Sequence, residues 1–304
     1  MIRLQDLIDE RNRLNCIIHH NTEKHDNTEE LGRQYRRRAD ININLYLTNH
    51  VLDSDNNDFD KLAFNDYEKS IDLLETSNSR YHQAEAILAY GNAIKEQFLP
   101  KDKKNNISFR EYEEKAKCQY NRCIDITLSI DYLRYYYFTT LEQMNLEIRK
   151  KVWEDNRLPK RIAICHSLKS PLSHQYLKGV YYFAYKNLVE VWEYNYGRVP
   201  KSDLEERFIW DRFLDASGIV FLCSPEYNKD NQIIKFEIEK TKKLKGIDDS
   251  TGVFALDLDN TEVLKDLQDV AIVVKESDFE KQIEDFFKNS LKNVYCCRKK
   301  RCNN

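Results

Sequence analysis

The sequence predicts a multidomain α and α/β chain, an antiparallel array of helices followed by a parallel sheet wound on both faces. Three observations predict it. Residues 2 to about 155 place their apolar side chains at the helical period, with few Gly or Pro and no strand-like alternation of any length. From Arg161 to about Tyr295, short apolar runs alternate with amphipathic ones, as they do where parallel strands are joined by crossover helices. Between the two lies RLPKRIAIC, in which Pro159 ends the helical region and Ile162, Ala163 and Ile164 open the first buried run. The expected domains are therefore 1–156, all helical, 157–295, α/β, and a basic cysteine-containing tail at 296–304. With 304 residues and 41% hydrophobic content, each domain can build a core.

The helical half divides into segments near 2–21, 28–52, 58–76, 79–98, 108–129 and 131–155, separated by polar breaks such as LDSDNND, ETSNS and LPKDKKNN. Two of these segments echo each other. Tyr67, Lys69, Ser70, Ile71 and Asp72 match Tyr120, Arg122, Cys123, Ile124 and Asp125, and Ala63 and Ala116 precede the tyrosines by the same four residues. Small residues at such positions let a neighbouring helix come close while the Tyr fills the space between helices, and AEAILAYGNAIKE supplies a partner with small positions of its own. The pattern resembles tetratricopeptide (TPR) helix pairs, although its 53-residue offset exceeds their period of about 34 and requires an insertion at LPKDKKNN. An array of this kind binds a peptide, a partner protein, another copy of itself or a small-molecule activator. RQYRRR at 33–38 and DYLRYYYFTT at 131–140 read first as a solvated face and a core stripe, with nucleotide or nucleic-acid binding as the alternative.

In the second half, RIAIC is the first strand and HSLKSPLSH the loop after it. A helix follows with Leu177, Val180, Tyr181, Ala184 and Leu188 on one face. LVEVWEY is the second strand, NYGRVPKSD a loop, and Ile209, Phe213 and Ala216 one side of the next helix. SGIVFLC, the most apolar strand, leads through SPEYNKDN into another helix; GVFALDL and VAIVV complete five strands, and SDFEKQIEDFFKNSLKNVY forms a final amphipathic helix. The expected order is flavodoxin-like, 2-1-3-4-5.

Composition narrows the function. Charged residues make up 33% of the chain but cancel to a net of -3, so nothing draws the protein as a whole to nucleic acid or an anionic membrane, and no such partner is expected. The first residues, MIRLQDLIDERNRL, lack the apolar core of a signal peptide, and no run of about 18 apolar residues offers a membrane span. A cytoplasmic protein is expected. The eight cysteines show no paired spacing for zinc, so no metal site is expected. Cys165 and Cys223 fall in strands as buried thiols, while Cys296, Cys297 and Cys302 belong to a basic end that reads as frayed, with lipidation or metal chelation as the other options.

In an open sheet of this order, ligands bind beyond the carboxyl ends of the strands where the order reverses, here between the first and third. Those strands exit through Cys165, His166 and Ser167 and through Ser224, Pro225 and Glu226. Neither GxGxxG nor GxxxxGKS occurs, so neither a dinucleotide grip nor a P-loop is supported. Behind the third strand, Ile233 and Glu237 lie one helical turn apart on one face, and Glu239 points about 160 degrees away from Glu237.

These residues resemble the Toll/interleukin receptor (TIR) domain over roughly 158–290. The likeness rests on the polar loop in RIAICHSLKS, the aromatic in VEVWEY, the Gly and Pro of NYGRVPKSD, and above all GIVFLCSPEYNK followed by Ile233 and Glu237. The sequence departs from the family at His166, where an aromatic is frequent, and at Ile233, where Trp is frequent. TIR domains are either scaffolds or enzymes that split the nicotinamide N-glycosidic bond of NAD. The resemblance implies that Glu237 is the catalytic carboxylate, that Cys165, His166, Ser167 and Trp192 line the substrate site, that NAD is a substrate and no cofactor is needed, and that self-association through the NYGRVPKSD loop completes the site in a defence or cell-death response. The chemistry agrees, because loss of neutral nicotinamide leaves positive charge on the ribosyl carbon that a carboxylate can stabilise. From the residues alone, Glu237 also reads as a surface salt-bridge partner, His166 as a solvated loop histidine and Trp192 as core. The alternatives are a non-catalytic interaction protein and an N-glycosidase acting on another nucleoside or nucleotide.

Overall fold

The structure, a computed structural model, describes residues 4–24, 27–51, 58–97, 109–167, 169–193, 203–229, 231–247, 249–258 and 265–291. It forms two compact units, 1–150 and 151–304. Among the described residues, no helix is long and apolar enough to cross a membrane.

The first unit is built from α1 (Leu4–Lys24), α2 (Thr28–Val51), α3 (Phe59–Thr76), α4 (Arg80–Glu96), α5 (Phe109–Ser129) and α6 (Leu133–Glu154). Short polar residues stop these helices. Asn78, Asp131 and Asn156 adopt left-handed backbone angles, a conformation that Asn and Asp tolerate better than most side chains. After α3 the chain closes with Ser77 N–H on Leu73 O and Ser79 N–H on Leu74 O, both at 2.9 Å, so the last carbonyls are satisfied and α4 can turn back at once. The array is antiparallel. Arg38 reaches Asp66 while Ser70 reaches Gly32, and Cys123 reaches Ala84 while Tyr120 reaches Asn92.

The echo noted in the sequence extends to these contacts. Tyr67 Oη donates to Asp40 Oδ1 at 2.6 Å, and Tyr120 Oη donates to Asn92 Oδ1 at 3.0 Å. Ser70 Oγ donates to the Gly32 carbonyl at 2.7 Å, and Cys123 Sγ to the Ala84 carbonyl at 3.4 Å. The duplicated object is therefore a helix pair, α2–α3 and then α4–α5, whose two members repeat at nearly the same offset. Both tyrosines are buried, and each hydroxyl finds the polar partner that a buried phenol requires. Gly91 gives Tyr120 its space, since a Cβ there would lie 2.6 Å from Cε1 of the ring. Three of the four arginines of RQYRRR are engaged within the array: Arg33 with Glu30, Arg36 with Asp40 and Glu85, and Arg38 with Asp66.

The second unit runs β1 (Lys160–Cys165), α7 (Pro171–Lys186), β2 (Val189–Glu193), α8 (Asp203–Asp215), β3 (Gly218–Cys223), α9 (Pro225–Lys229), α10 (Asn231–Ile247), β4 (Gly252–Asp257), α11 (Lys265–Gln268), β5 (Ile272–Lys275) and α12 (Phe279–Asn289). All strand pairs are parallel, in the order β2-β1-β3-β4-β5. β3 is buried along its whole length, and β1 from Arg161 onward, which is why both read as unbroken apolar runs.

Four expectations need correction. The loop after β1 is shorter than HSLKSPLSH, because Ser170 caps α7 by accepting from Ser173 N–H at 3.2 Å and Pro171 takes the first helical position. The expected helix faces run past the ends of their helices, Leu188 beyond α7 and Ala216 beyond α8. SPEYNKDN is not all loop: Ser224 Oγ accepts from Tyr227 N–H at 3.2 Å and starts the short helix α9. VAIVV is strand only from Ile272: β5 begins there, at the sheet edge, and leaves Ile272 and Val273 exposed. NYGRVPKSD falls largely on 194–202, outside the described residues, as do residues 292–304 with Cys296, Cys297 and Cys302.

At the foot of the sheet, Arg161 and Glu190 are paired across β1 and β2 with Nη2 to Oε2 at 2.7 Å, both fully buried, and Asp215 lies 3.9 Å from Nη1. A pair like this fixes the β1–β2 register, because sliding it would strand a charge in the core at a cost of about 3–5 kcal/mol.

Replacing Gly91 with Val should destabilise the helical unit by about 1–3 kcal/mol, because the ring it meets is buried and tethered. Urea unfolding checks this, with Gly246→Ala as control. A Cβ at Gly246 meets nothing within 4 Å, so this change should be neutral or gain up to about 1 kcal/mol.

Candidate active site

The carboxyl ends of β1, β2, β3 and β4 present Cys165, Glu193, Cys223 and Asp257 in a staggered row at the head of the sheet: Cys223 is level with Asp257, whereas Glu193 is level with Ile164 and so faces the other side from Cys165. Next to this row the chain places His166 after β1, Tyr227 in α9 and Glu237 in α10. α10 is set against α8 by Lys240, whose Nζ pairs with Glu206 and lies 5.8 Å from the Trp210 ring centre. That seating turns Glu237 inward and leaves Glu239 exposed.

Glu237 is 2% exposed, so it is not a surface salt-bridge partner. Tyr227 Oη donates to its Oε2, and the Cys165 thiol also hydrogen-bonds to it. This arrangement keeps the donors protonated. Burial, then the charge of Glu237, hold the Tyr227 phenol and the Cys165 thiol well above their usual ranges, and burial with Asp257 and Glu237 pushes Cys223 up to about 12. At neutral pH neither cysteine is a thiolate, and neither acts as a nucleophile.

The His166 side chain is 2% exposed, not solvated. Its Nε2 meets Glu193 Oε1, and its Nδ1 faces the Ser167 carbonyl at 3.3 Å. Glu193 is fixed on its other oxygen by Tyr181 Oη at 2.5 Å. Burial lowers the affinity of this imidazole for a proton, but the hydrogen bond and charge of Glu193, the Ser167 carbonyl and the charge of Glu237 together raise it.

Of the residues expected at the site, Cys165 and Glu237 are joined directly, and His166 interacts with Glu237 through charge. Ser167 serves its own loop, accepting from Lys169 N–H at 3.3 Å and orienting His166 through its carbonyl. Trp192 is half-buried on the face of β2 opposite Glu193, edge-on to Phe213 with ring centres 5.9 Å apart. Ile233 lies in α10, and its side chain is outside those described.

The sequence reading missed Glu193, Tyr227 and Asp257 as site residues and took Tyr181 only for its apolar face. The signal for Glu193 and Asp257 was an acid at the carboxyl end of an apolar strand run. The Asp257 carboxyl is raised by burial, and its Oδ1 is buried without a hydrogen-bond partner among the described residues. Among the described residues no cluster of His, Cys, Asp and Glu is arranged to hold a metal ion. Comparison of the chain with protein-family models, curated proteins and solved structures finds no match.

The raised His166 sets a direction for stability against pH. Its contribution is fully present below about pH 6.5, the ordinary value that applies to the unfolded chain, and is lost as pH rises through the higher folded value. Denaturant unfolding of the wild type and His166→Gln from pH 5 to 9 should show a gap that is widest at the acid end and narrows as pH rises.

Proposed function

We propose that the α/β unit is a TIR-like NAD glycohydrolase in which Glu237 is the catalytic carboxylate. The observation that carries this reading is the position of Glu237, which α10 delivers to the carboxyl ends of β1 and β3, where the strand order reverses and sheets of this kind take their ligands. The chemistry asks for one acidic group. Nicotinamide is a pyridinium in NAD and leaves as a neutral molecule without protonation, and the positive charge that develops on the ribosyl carbon and ring oxygen is stabilised by a carboxylate in a site nearly free of water. No cofactor is required in this scheme, and NAD is the substrate. The interior position of Glu237 also supports activation by assembly: a carboxylate covered by Tyr227 reaches substrate only after α9 shifts, and self-association is a means of driving that shift. The helical unit then receives the activating protein or small molecule, and the protein works in the cytoplasm.

The same burial favours a second reading, a non-catalytic interaction protein in which Glu237 and Tyr227 form a structural contact. Incubating concentrated protein with NAD and measuring nicotinamide separates the two. Release by the wild type, reduced about 10²–10³-fold in Glu237→Gln, is the expected result. Equal turnover by both proteins removes Glu237 from the mechanism. Absence of turnover under assembling conditions favours the interaction protein, and cleavage of another nucleoside or nucleotide in a parallel panel keeps the carboxylate but changes the substrate.

A further inference from the structure

Because the strand order reverses between β1 and β3, the chain leaves these neighbouring strands for opposite faces of the sheet. α7, after β1, packs on the face of Glu193 through Tyr181, and α9, after β3, on the face of Cys165 through Tyr227 and Glu237. Each helix begins at a fully buried serine whose hydroxyl accepts from the first turn: Ser170 Oγ from Ser173 N–H and Ser224 Oγ from Tyr227 N–H, both at 3.2 Å. An accepting hydroxyl still has its own proton to give. Both protons go to one carboxylate, because the partly exposed Glu226 of α9 hydrogen-bonds with the side chains of Ser170 and Ser224 and accepts from its own backbone N–H. That N–H, then Ser170, Ser224 and the charge of Lys229 at the other end of α9, hold the carboxyl below its usual range. The contact with Ser224 is local to the turn after β3. The contact with Ser170 crosses from α9 to the start of α7.

We propose that Glu226 is a latch: by holding the Ser170 hydroxyl at the start of α7, it keeps α9 down on the head of the sheet and Tyr227 closed over Glu237. The part that opening plays in turnover rests on the NAD glycohydrolase reading; the latch itself does not. α9 has only five residues, too few to hold its position by its own backbone hydrogen bonds, so side-chain contacts must fix it. Inward, Tyr227 donates to Glu237 and packs its ring 6.5 Å from that of Phe221. Outward, the neighbouring Glu226 reaches Ser170. The two contacts belong to consecutive residues of one turn, so lifting that turn breaks both. Tyr227 is buried, whereas Glu226 is partly exposed, and the cover is therefore released from the Glu226 side. Self-association then acts against the latch, and a chain without it opens unaided.

Alkylation of Cys165 and Cys223 by iodoacetamide in the full chain, followed by mass spectrometry, reads the opening without any substrate, because both thiols are buried beside Tyr227. Glu226→Ala should raise the rate about 10–100-fold, the effect of losing a hydrogen bond to a charged group. Ser170→Gly should do the same while leaving α9 untouched, and it keeps α7 folded because glycine is nearly as good an N-cap as serine. The double variant should be no faster than either single one, since both remove the same contact. Ile283→Val, which loosens the core under α12, should leave the rate unchanged, because the thiols are reached by local opening and not by unfolding. In nicotinamide release, Glu226→Ala should keep its turnover on dilution that silences the wild type. A rate unchanged in Ser170→Gly, additive in the double variant, or raised as much by Ile283→Val overturns the latch. Faster alkylation with the wild type and Glu226→Ala equally sensitive to dilution overturns its link to assembly. Faster alkylation with no NAD turnover in any protein overturns the functional reading and leaves the latch standing.

Discussion

The head of the sheet depends on one constraint: a carboxyl group, Glu237, is placed where there is almost no water to solvate it. Such a group must be neutralised, paired or surrounded by donors. The surroundings supply donors on two sides, each from a different element: Cys165 from the end of β1 and Tyr227 from α9. A leucine at 237 would leave Tyr227 as the stranded polar group instead.

The same physics recurs elsewhere with a different outcome. Arg161 and Glu190 form a direct buried pair at the foot of the sheet, and in the helical unit Lys95 Nζ lies 2.6 Å from Glu142 Oε2 with Arg149 buried nearby. Each of these opposes unlike charges at contact distance, an arrangement that fixes register and helix phase rather than creating a reactive group. Glu237 differs in that the group that covers it, Tyr227, is a neutral phenol.

Much of the architecture was legible in the sequence because parallel strands buried on both faces must read as apolar runs, and because Tyr67 and Tyr120 sit in matched settings. Their partner helices were harder to see, since Gly32 with Asp40 and Ala84 with Asn92 share size and polarity but not identity. Glu237 was legible from its spacing to Ile233. Its burial was not: FEIEKTKKLK carries the charge density of a surface helix, and only the seating of Lys240 against α8 and the arrival of Tyr227 from a segment read as loop turn the acid inward. Glu193 was hidden for the opposite reason, as an acid in a strand whose neighbours are apolar and whose partner, His166, lies 27 residues away in sequence.

The most direct test of the account follows the hydrogen bond that covers the carboxylate. With ¹³Cζ-labelled tyrosine, the Tyr227 resonance, assigned by its loss in Tyr227→Phe, is followed while NAD is added to the concentrated full chain. The account predicts that the resonance moves as Glu237 exchanges the phenol for substrate, and that it returns as NAD is consumed. Release of nicotinamide with the Tyr227 resonance unmoved would contradict it, because the bond would then be cleaved without uncovering Glu237.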